Sequence, residues 1–497
     1  MSQMRHVKKH IVQYERDLDH ASDYACWRQI SLELDRLEGS EAWKQDDTSD
    51  DYDHFLLRER IIEMRELRAR TCVRPLVFAL YEGLHGNLGN SSNPMLYGLA
   101  RVGTKHLIEQ YAEEVVRCLD YVCAGDFPDF STEEKILFFK RTGTAFGRSA
   151  LMLSGGGTLG MFHLGVIKAL HEQNLLPRVI SGSSAGAIIG GAVGVRDDSQ
   201  ITRMLAPGGL NLEAFERVTL GRAMKNKAVM DTGQLEQCLA TNMGEETFLE
   251  AFERTRRIIG ITVSTAEAHQ QPRLLNYLTA PNVVVRRAIL ASCAVPGVFP
   301  PVMLQARDYN GQIVPYMPSK RWMDGTLSSD LPMLRLARLH NVNHYIVSQT
   351  NPHVVPFLRE RTRKREQSKR GMAPLVKDLV IHGGAGALKL ARRHLDPYGS
   401  GRVVAKLDNV VRQRYSGDIN LYPERKPSDL LNTFSNPSHD DIRRYIAEGE
   451  RATWPKIERI RIQTRISRAF EDCLLLLKQR LHEKPKRKFD LRLAAAR

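Results

Sequence analysis

A chain of 497 residues can bury a large core and form more than one domain. Its composition, 42% hydrophobic and 26% charged, is that of a globular protein, and without a run of about eighteen apolar residues it holds no predicted spanning helix. A net charge of +15 points to an anionic partner, either nucleic acid or an acidic lipid surface. The seven cysteines are scattered, without the paired Cys or Cys/His spacing of a zinc site or a disulfide frame. They fit a reducing, cytoplasmic setting, and the first residues lack the apolar stretch of a signal peptide.

Residues 1–147 carry apolar residues at helical spacing over 5–37, 54–71 and 104–119, so a charge-rich helical region is predicted, broken by GLHGNLGNSSNP at 83–94. From 148 to 350 the pattern changes. Short β-rich runs (ALMLS, RVIS, RIIGITVS, RLLNYLT, HYIVSQT) alternate with helical patterns, the signature of an α/β domain around a mainly parallel sheet. Residues 351–497 read as helical and basic again, with Gly/Pro-rich patches.

The stretch ALMLSGGGTLGMFHLGVIKAL (150–170) reads as strand, glycine loop and helix. Gly155, Gly157 and Gly160 satisfy G-x-G-x-x-G, a dinucleotide pattern that also requires an acid at the end of the next strand. Here that strand runs into Ser181-Gly182-Ser183-Ser184, so a nucleotide-binding protein is kept only as the non-enzyme alternative. The other chemical use of such a loop is an oxyanion hole, with backbone N–H groups and a helix N-terminus aimed at one point. A tight turn with no ligand is the plain alternative.

Gly182-Ser183-Ser184-Ala185-Gly186 is G-x-S-x-G between a β run and a small-residue helix, the pattern that lifts a serine Oγ above a sheet. Ser184 is therefore the candidate nucleophile, and it needs a base. His340, His344 and His353 lie downstream and leave a Ser–Asp–His arrangement open, although His163, His340 and His344 read more readily as structural histidines. Asp324-Gly325 offers a simpler partner, a carboxylate at the end of a short β-like run. An aspartate with a pKa of about 3.9 is a weak base, so close geometry must supply much of the effect. Taken alone, Asp-Gly is an ordinary turn, and Asp330 reads as a helix cap before Leu331-Pro332.

Together SGGGTLG (154–160), GSSAG (182–186), ASCAVPGVFPPV (291–302) and DG (324–325) resemble, in this order, the blocks of the patatin-like phospholipase family. GTKHLIEQYAEEV (103–115) and HNVNHYIVSQTNPHVVPF (340–357) resemble the branch of fungal triacylglycerol lipases and their bacterial relatives, including its N-terminal extension. The resemblance implies a three-layer α/β core with a mainly parallel sheet between helical flanks. It also implies Ser184 as nucleophile, Asp324 as proton acceptor, and Gly155, Gly156 and Gly157 as the oxyanion loop, with Gly160, Gly182, Gly186 and Gly325 as motif glycines. Leu159 stands where many members have Arg or Lys, and Thr326 where many have Gly or Ala. No histidine has an aspartate five positions later, the spacing tied to acyl transfer in some relatives.

The implied activity is hydrolysis of long-chain acylglycerol esters, with phospholipase A or lysophospholipase activity as the alternative and no metal or organic cofactor. Two basic segments, 357–370 and 457–481, are candidates for docking on a membrane or lipid droplet, the second equally for packing on the core. Without an RNA- or DNA-binding pattern, nucleic acid is not an expected partner.

Overall fold

The computed structural model describes residues 2–70, 72–206, 208–211, 230, 232–267, 271–296, 298–325, 330–351, 416–424 and 435–483. The chain forms two compact units, Met1–Arg148 with Glu458–Arg497, and Ser149–Ile457.

In the first unit the predicted helices form around a continuous apolar core. His106–Ala124 buries Ile108, Val115, Leu119 and Val122 on one stripe, facing Leu57, Ile61 and Met64 of His54–Ala69. Thr132–Phe146 starts at a capping box, Ser131 Oγ accepting the Glu134 amide at 3.2 Å and Glu134 Oε2 accepting the Ser131 amide at 2.8 Å. The buried Lys105 of the GTKHL block donates to the carbonyls of Trp43, Asp46 and Thr48 at 2.8, 2.6 and 3.3 Å and ties the start of His106–Ala124 to the end of the short helix Ser40–Gln45 and the loop after it.

The same core takes the C-terminal helix, Ile457–Glu483. Ile462, Ile466, Phe470, Cys473 and Leu477 are buried in it, with Phe470 edge-on to Phe139 at 6.0 Å. Arg465 pairs with Glu113 and Arg461 with Glu458. The apolar face of 457–481 is thus consumed by packing, and the expectation that it lies in a lipid interface is corrected. Segment 357–370 lies outside the described residues.

The second unit is built on a seven-stranded sheet of order β4-β3-β2-β1-β8-β9, with β7 also pairing β3. Its strands are β1 (Arg148–Leu153), β2 (Val179–Gly182), β3 (Ile258–Thr265), β4 (Arg273–Leu275), β7 (Trp322–Asp324), β8 (Val342–Ser348) and β9 (Ile419–Leu421). β5 (Gln305–Arg307) and β6 (Ile313–Pro315) form a separate hairpin. β1, β2 and β3 run parallel, as do β8 and β9, while β4 and β7 are antiparallel to β3. All eight residues of β3 are buried, as expected of a strand paired on both edges: Ile258, Ile259, Ile261 and Val263 supply its apolar side chains, and Thr262, Ser264 and Thr265 are buried with them. β9 is a departure from the reading of 351–497 as helical, because Ile419–Leu421 extends the sheet beside β8.

Helices cover the sheet at small residues. Phe162–Glu172, which follows the glycine loop, crosses His439–Thr453 so closely that a side-chain carbon on Gly165 would lie 1.9 Å from the carbonyl oxygen of Ile446. Lys168 Nζ pairs with Glu450 at 2.6 Å beside this crossing. Gly165→Ala should force the two helices apart and cost about 1–3 kcal/mol, read as a lower urea midpoint; an unchanged midpoint would show that the crossing yields freely.

Candidate active site

β2 ends at Gly182, opposite Ile261 of β3. The chain then turns so sharply that Ser184 has φ 51° and ψ −121°, and the helix Ala185–Gly194 starts directly after it. A left-handed φ in a residue with a side chain is strained, and such strain gathers at functional sites. The turn is held by hydrogen bonds from the Ser183 amide to the Leu153 carbonyl at 3.1 Å and from the Ala187 amide to the Ser184 carbonyl at 2.8 Å. The motif glycines answer close approaches. A side-chain carbon at Gly160, Gly182, Gly186 or Gly325 would lie 2.5 Å from Ala185 Cβ, 2.1 Å from Gly186 O, 2.2 Å from Leu153 O or 2.7 Å from Thr262 Cγ2.

The sheet register brings Asp324 to this turn. β2 and β4 both pair at Ile261 and therefore occupy opposite edges of β3; β4 and β7 both pair at Val263, so β7 lies on the edge that β2 uses. β2 and the antiparallel β7 thus meet end to end, C-terminus to C-terminus. The positions opposite Gly182 and Asp324 are two β3 residues apart, roughly 7 Å. Asp324 is buried.

Three residues of the ASCAVPG block bracket the meeting point. Ser292 Oγ accepts the Ser184 amide at 3.0 Å and donates to Thr262 O at 2.7 Å. Cys293 Sγ contacts the Ser184 carbonyl at 3.4 Å, and the Ala294 carbonyl accepts the Asp324 amide at 3.0 Å. Burial pushes the Cys293 thiol well up, and the nearby Asp324 pushes it further, so it stays protonated. These roles were not read from the sequence, where the block stood out only as a family resemblance.

The glycine loop follows β1. Thr350 Oγ1 donates to the Gly155 carbonyl at 3.2 Å, and the Thr350 amide donates to Ser154 Oγ at 2.8 Å. Gly156 leaves no space for a side chain, whose first carbon would lie 2.3 Å from Thr350 Oγ1, and Gly157 has φ 57°. The Gly155 amide is directed to Asp330 Oδ1 at 3.0 Å, so among the three loop glycines this donor is already engaged. Asp330 is also not the helix cap the sequence predicts: the helix Met333–His340 is preceded by Pro332, with no side-chain cap.

The histidines stand elsewhere. His163 is fully buried under the loop, Nδ1 at 2.7 Å from Ser348 Oγ and Nε2 at 3.0 Å from Ser154 O, and burial pushes its pKa down to about 4. His344 Nδ1 meets Ser149 Oγ at 3.0 Å, at the end of β1 opposite the loop. His340 precedes β8 at that same end and stacks on Tyr277 at 5.8 Å. His353 and Thr326 lie outside the described residues.

With this geometry in view, the comparisons with known proteins decide the family. Residues 151–337 match the patatin-like phospholipase model, and residues 4–144 match a domain of unknown function, DUF3336. The triacylglycerol lipase ptl3 of Schizosaccharomyces pombe is 35% identical over 454 residues, covering 88% of this chain and 92% of that protein. The chain belongs to the patatin-like phospholipase family. Triacylglycerol lipase SDP1L of Arabidopsis thaliana is 36% identical over 92% of this chain, and triacylglycerol lipase 4 of Saccharomyces cerevisiae 34% identical over 94%. The chain spans 58% and 54% of the length of these two patatin-like relatives.

Two outcomes are expected. Ser184→Gly should exceed Ser184→Ala in stability by about 1 kcal/mol, since glycine relieves the left-handed turn; equal denaturation midpoints would mean that no strain is stored there. Burial and the neighbouring Asp324 push the Asp330 carboxyl up to about 7. Because it binds its proton more tightly folded than unfolded, its contribution is most favourable below about pH 4 and is lost as the pH rises through 7. Asp330→Asn should therefore gain stability relative to the native chain between pH 4 and 8, and a pH-independent difference in midpoints would contradict this.

Proposed function

We propose that the protein is a serine lipid acyl hydrolase that cleaves carboxylic esters of long-chain acylglycerols through a Ser184–Asp324 dyad. The observation that carries this reading is the end-to-end approach of β2 and β7 along β3, which sets a strained serine turn against a buried carboxylate. Asp324 takes the proton of Ser184 Oγ as that oxygen attacks the ester carbonyl. The amides of Gly156, Gly157 and the helix start behind them receive the charge on the carbonyl oxygen, each donor being worth about 3–4 kcal/mol of transition-state stabilisation. The tetrahedral intermediate collapses, the alcohol leaves with the proton, and an acyl-enzyme remains. Water then attacks the acyl carbon, Asp324 takes its proton, and Ser184 is released with the fatty acid.

Triacylglycerol is the preferred substrate. The relatives named triacylglycerol lipase support that choice, as does the buried Leu159 at a loop position where a cation would favour an anionic headgroup. The work is proposed to take place at a lipid surface on the cytoplasmic side, consistent with the basic charge and seven free cysteines. Among the described residues no helix is long and apolar enough to cross a membrane.

Fatty-acid release from emulsified long-chain triacylglycerol and from phosphatidylcholine vesicles tests the proposal. Ser184→Ala and Asp324→Asn should each lose on the order of a thousandfold in kcat, while His340→Ala and His344→Ala keep most activity. Release mainly from phosphatidylcholine would retain the chemistry and replace the substrate. Release that survives Ser184→Ala would end the dyad reading.

A further inference from the structure

Asp330 is an expensive residue where it stands. It is 1% exposed, in a layer where an apolar side chain would pack without the cost of desolvating a carboxyl group. Its bonds run to three separate parts of the sheet. Oδ1 accepts the amide of Gly155, the first loop glycine after β1, at 3.0 Å. Its main-chain carbonyl accepts the hydroxyl of Ser183, the residue before the nucleophile, at 2.8 Å. The side chain of Asn351, just beyond β8, also reaches its carboxyl group. One buried residue therefore joins the glycine loop, the serine turn and the end of β8.

We infer that Asp330 is the positioning residue of the oxyanion hole, holding the Gly155 amide so that the loop turns its next amides toward Ser184. The inference rests on the dyad reading above. A backbone amide in a buried loop must be satisfied, and the partner it finds decides which way the peptide faces. With the Gly155 amide bound to Asp330 and its carbonyl accepting Thr350 Oγ1, the peptide planes entering Gly156 are fixed on both sides. The Ser183 bond then ties that loop to the serine turn, so donors and nucleophile are held as one body. Asp330 itself does not touch the reacting ester in this scheme; it acts through the loop.

Asp330→Leu keeps the branched shape of the side chain, with two bulkier methyl groups in place of the oxygens, and removes the acceptor. It should lower kcat on a soluble short-chain ester about a hundredfold, the scale of losing one oxyanion donor, with KM within about threefold. Affinity for a long-chain trifluoromethyl ketone, which Ser184 would convert to a bound oxyanion, should fall by the same factor as kcat. Asp330→Asn keeps an oxygen facing Gly155 and should restore kcat to within about tenfold of the native chain. Asn351→Ala, which removes one carboxyl partner at a half-buried site, should give a smaller loss and guards against a misfolded leucine variant. A melting temperature that falls in Asp330→Leu while kcat and ketone affinity of the folded fraction stay native would overturn the inference. So would an Asp330→Asn variant as poor as Asp330→Leu. If the native chain neither hydrolyses the ester nor binds the ketone, or Ser184→Ala is as active as the native chain, the dyad reading fails instead.

Discussion

The site depends on one strand register. Because β4 takes one edge of β3 at both Ile261 and Val263, β2 and β7 must share the other, and only end to end. A shift of one residue in the β7 pairing would reverse the face of Asp324 and carry it away from the serine turn. β3 is buried along its whole length, so a slipped partner would leave buried backbone groups unpaired, which keeps that register in place.

The surroundings of the proposed dyad secure this meeting from several directions. The end of the helix Val285–Cys293 reaches the serine turn through Ser292 and Cys293 and the Asp324 strand through the next residue, Ala294. The glycine loop is fastened beneath by Thr350, Ser154 and a neutral His163, through hydrogen bonds of 2.8, 3.2 and 3.0 Å. The helix behind the loop is clamped by His439–Thr453 across Gly165, so the later part of the chain supports the loop that the earlier part supplies. Rigid support of this kind is what the proposed dyad would need, its base being intrinsically weak.

The serine turn was legible in the chain itself because its requirements are local: a β run, a small-residue fence and a helix in five adjacent positions. Asp324 was legible through its Asp-Gly turn and the order of the surrounding blocks. Ser292, Cys293 and Ala294 were not, since their roles consist of contacts with residues more than a hundred positions earlier or on another strand. Asp330 was misread for a related reason: before Leu-Pro an aspartate has the look of a cap, and nothing local shows that its carboxyl faces Gly155. β9 is only three residues long and gave no periodicity to read. For the helix Ile457–Glu483, periodicity identifies an apolar face but does not say what covers it; Phe139, Phe146 and Cys123 do.

That helix also sets an order of events in the making of the protein. The core it completes belongs to the unit that opens the chain, yet the whole of Ser149–Ile457 is synthesised between the two parts. Until Ile457–Glu483 leaves the ribosome, the part of this core around Cys123, Phe139 and Phe146 lacks its cover. The unit in the middle, with the sheet and the serine turn, has its own contacts complete earlier. The earlier segment of this core is thus closed only after the whole second unit has been made, a long wait for exposed apolar surface and a natural point of engagement for chaperones that bind such surface.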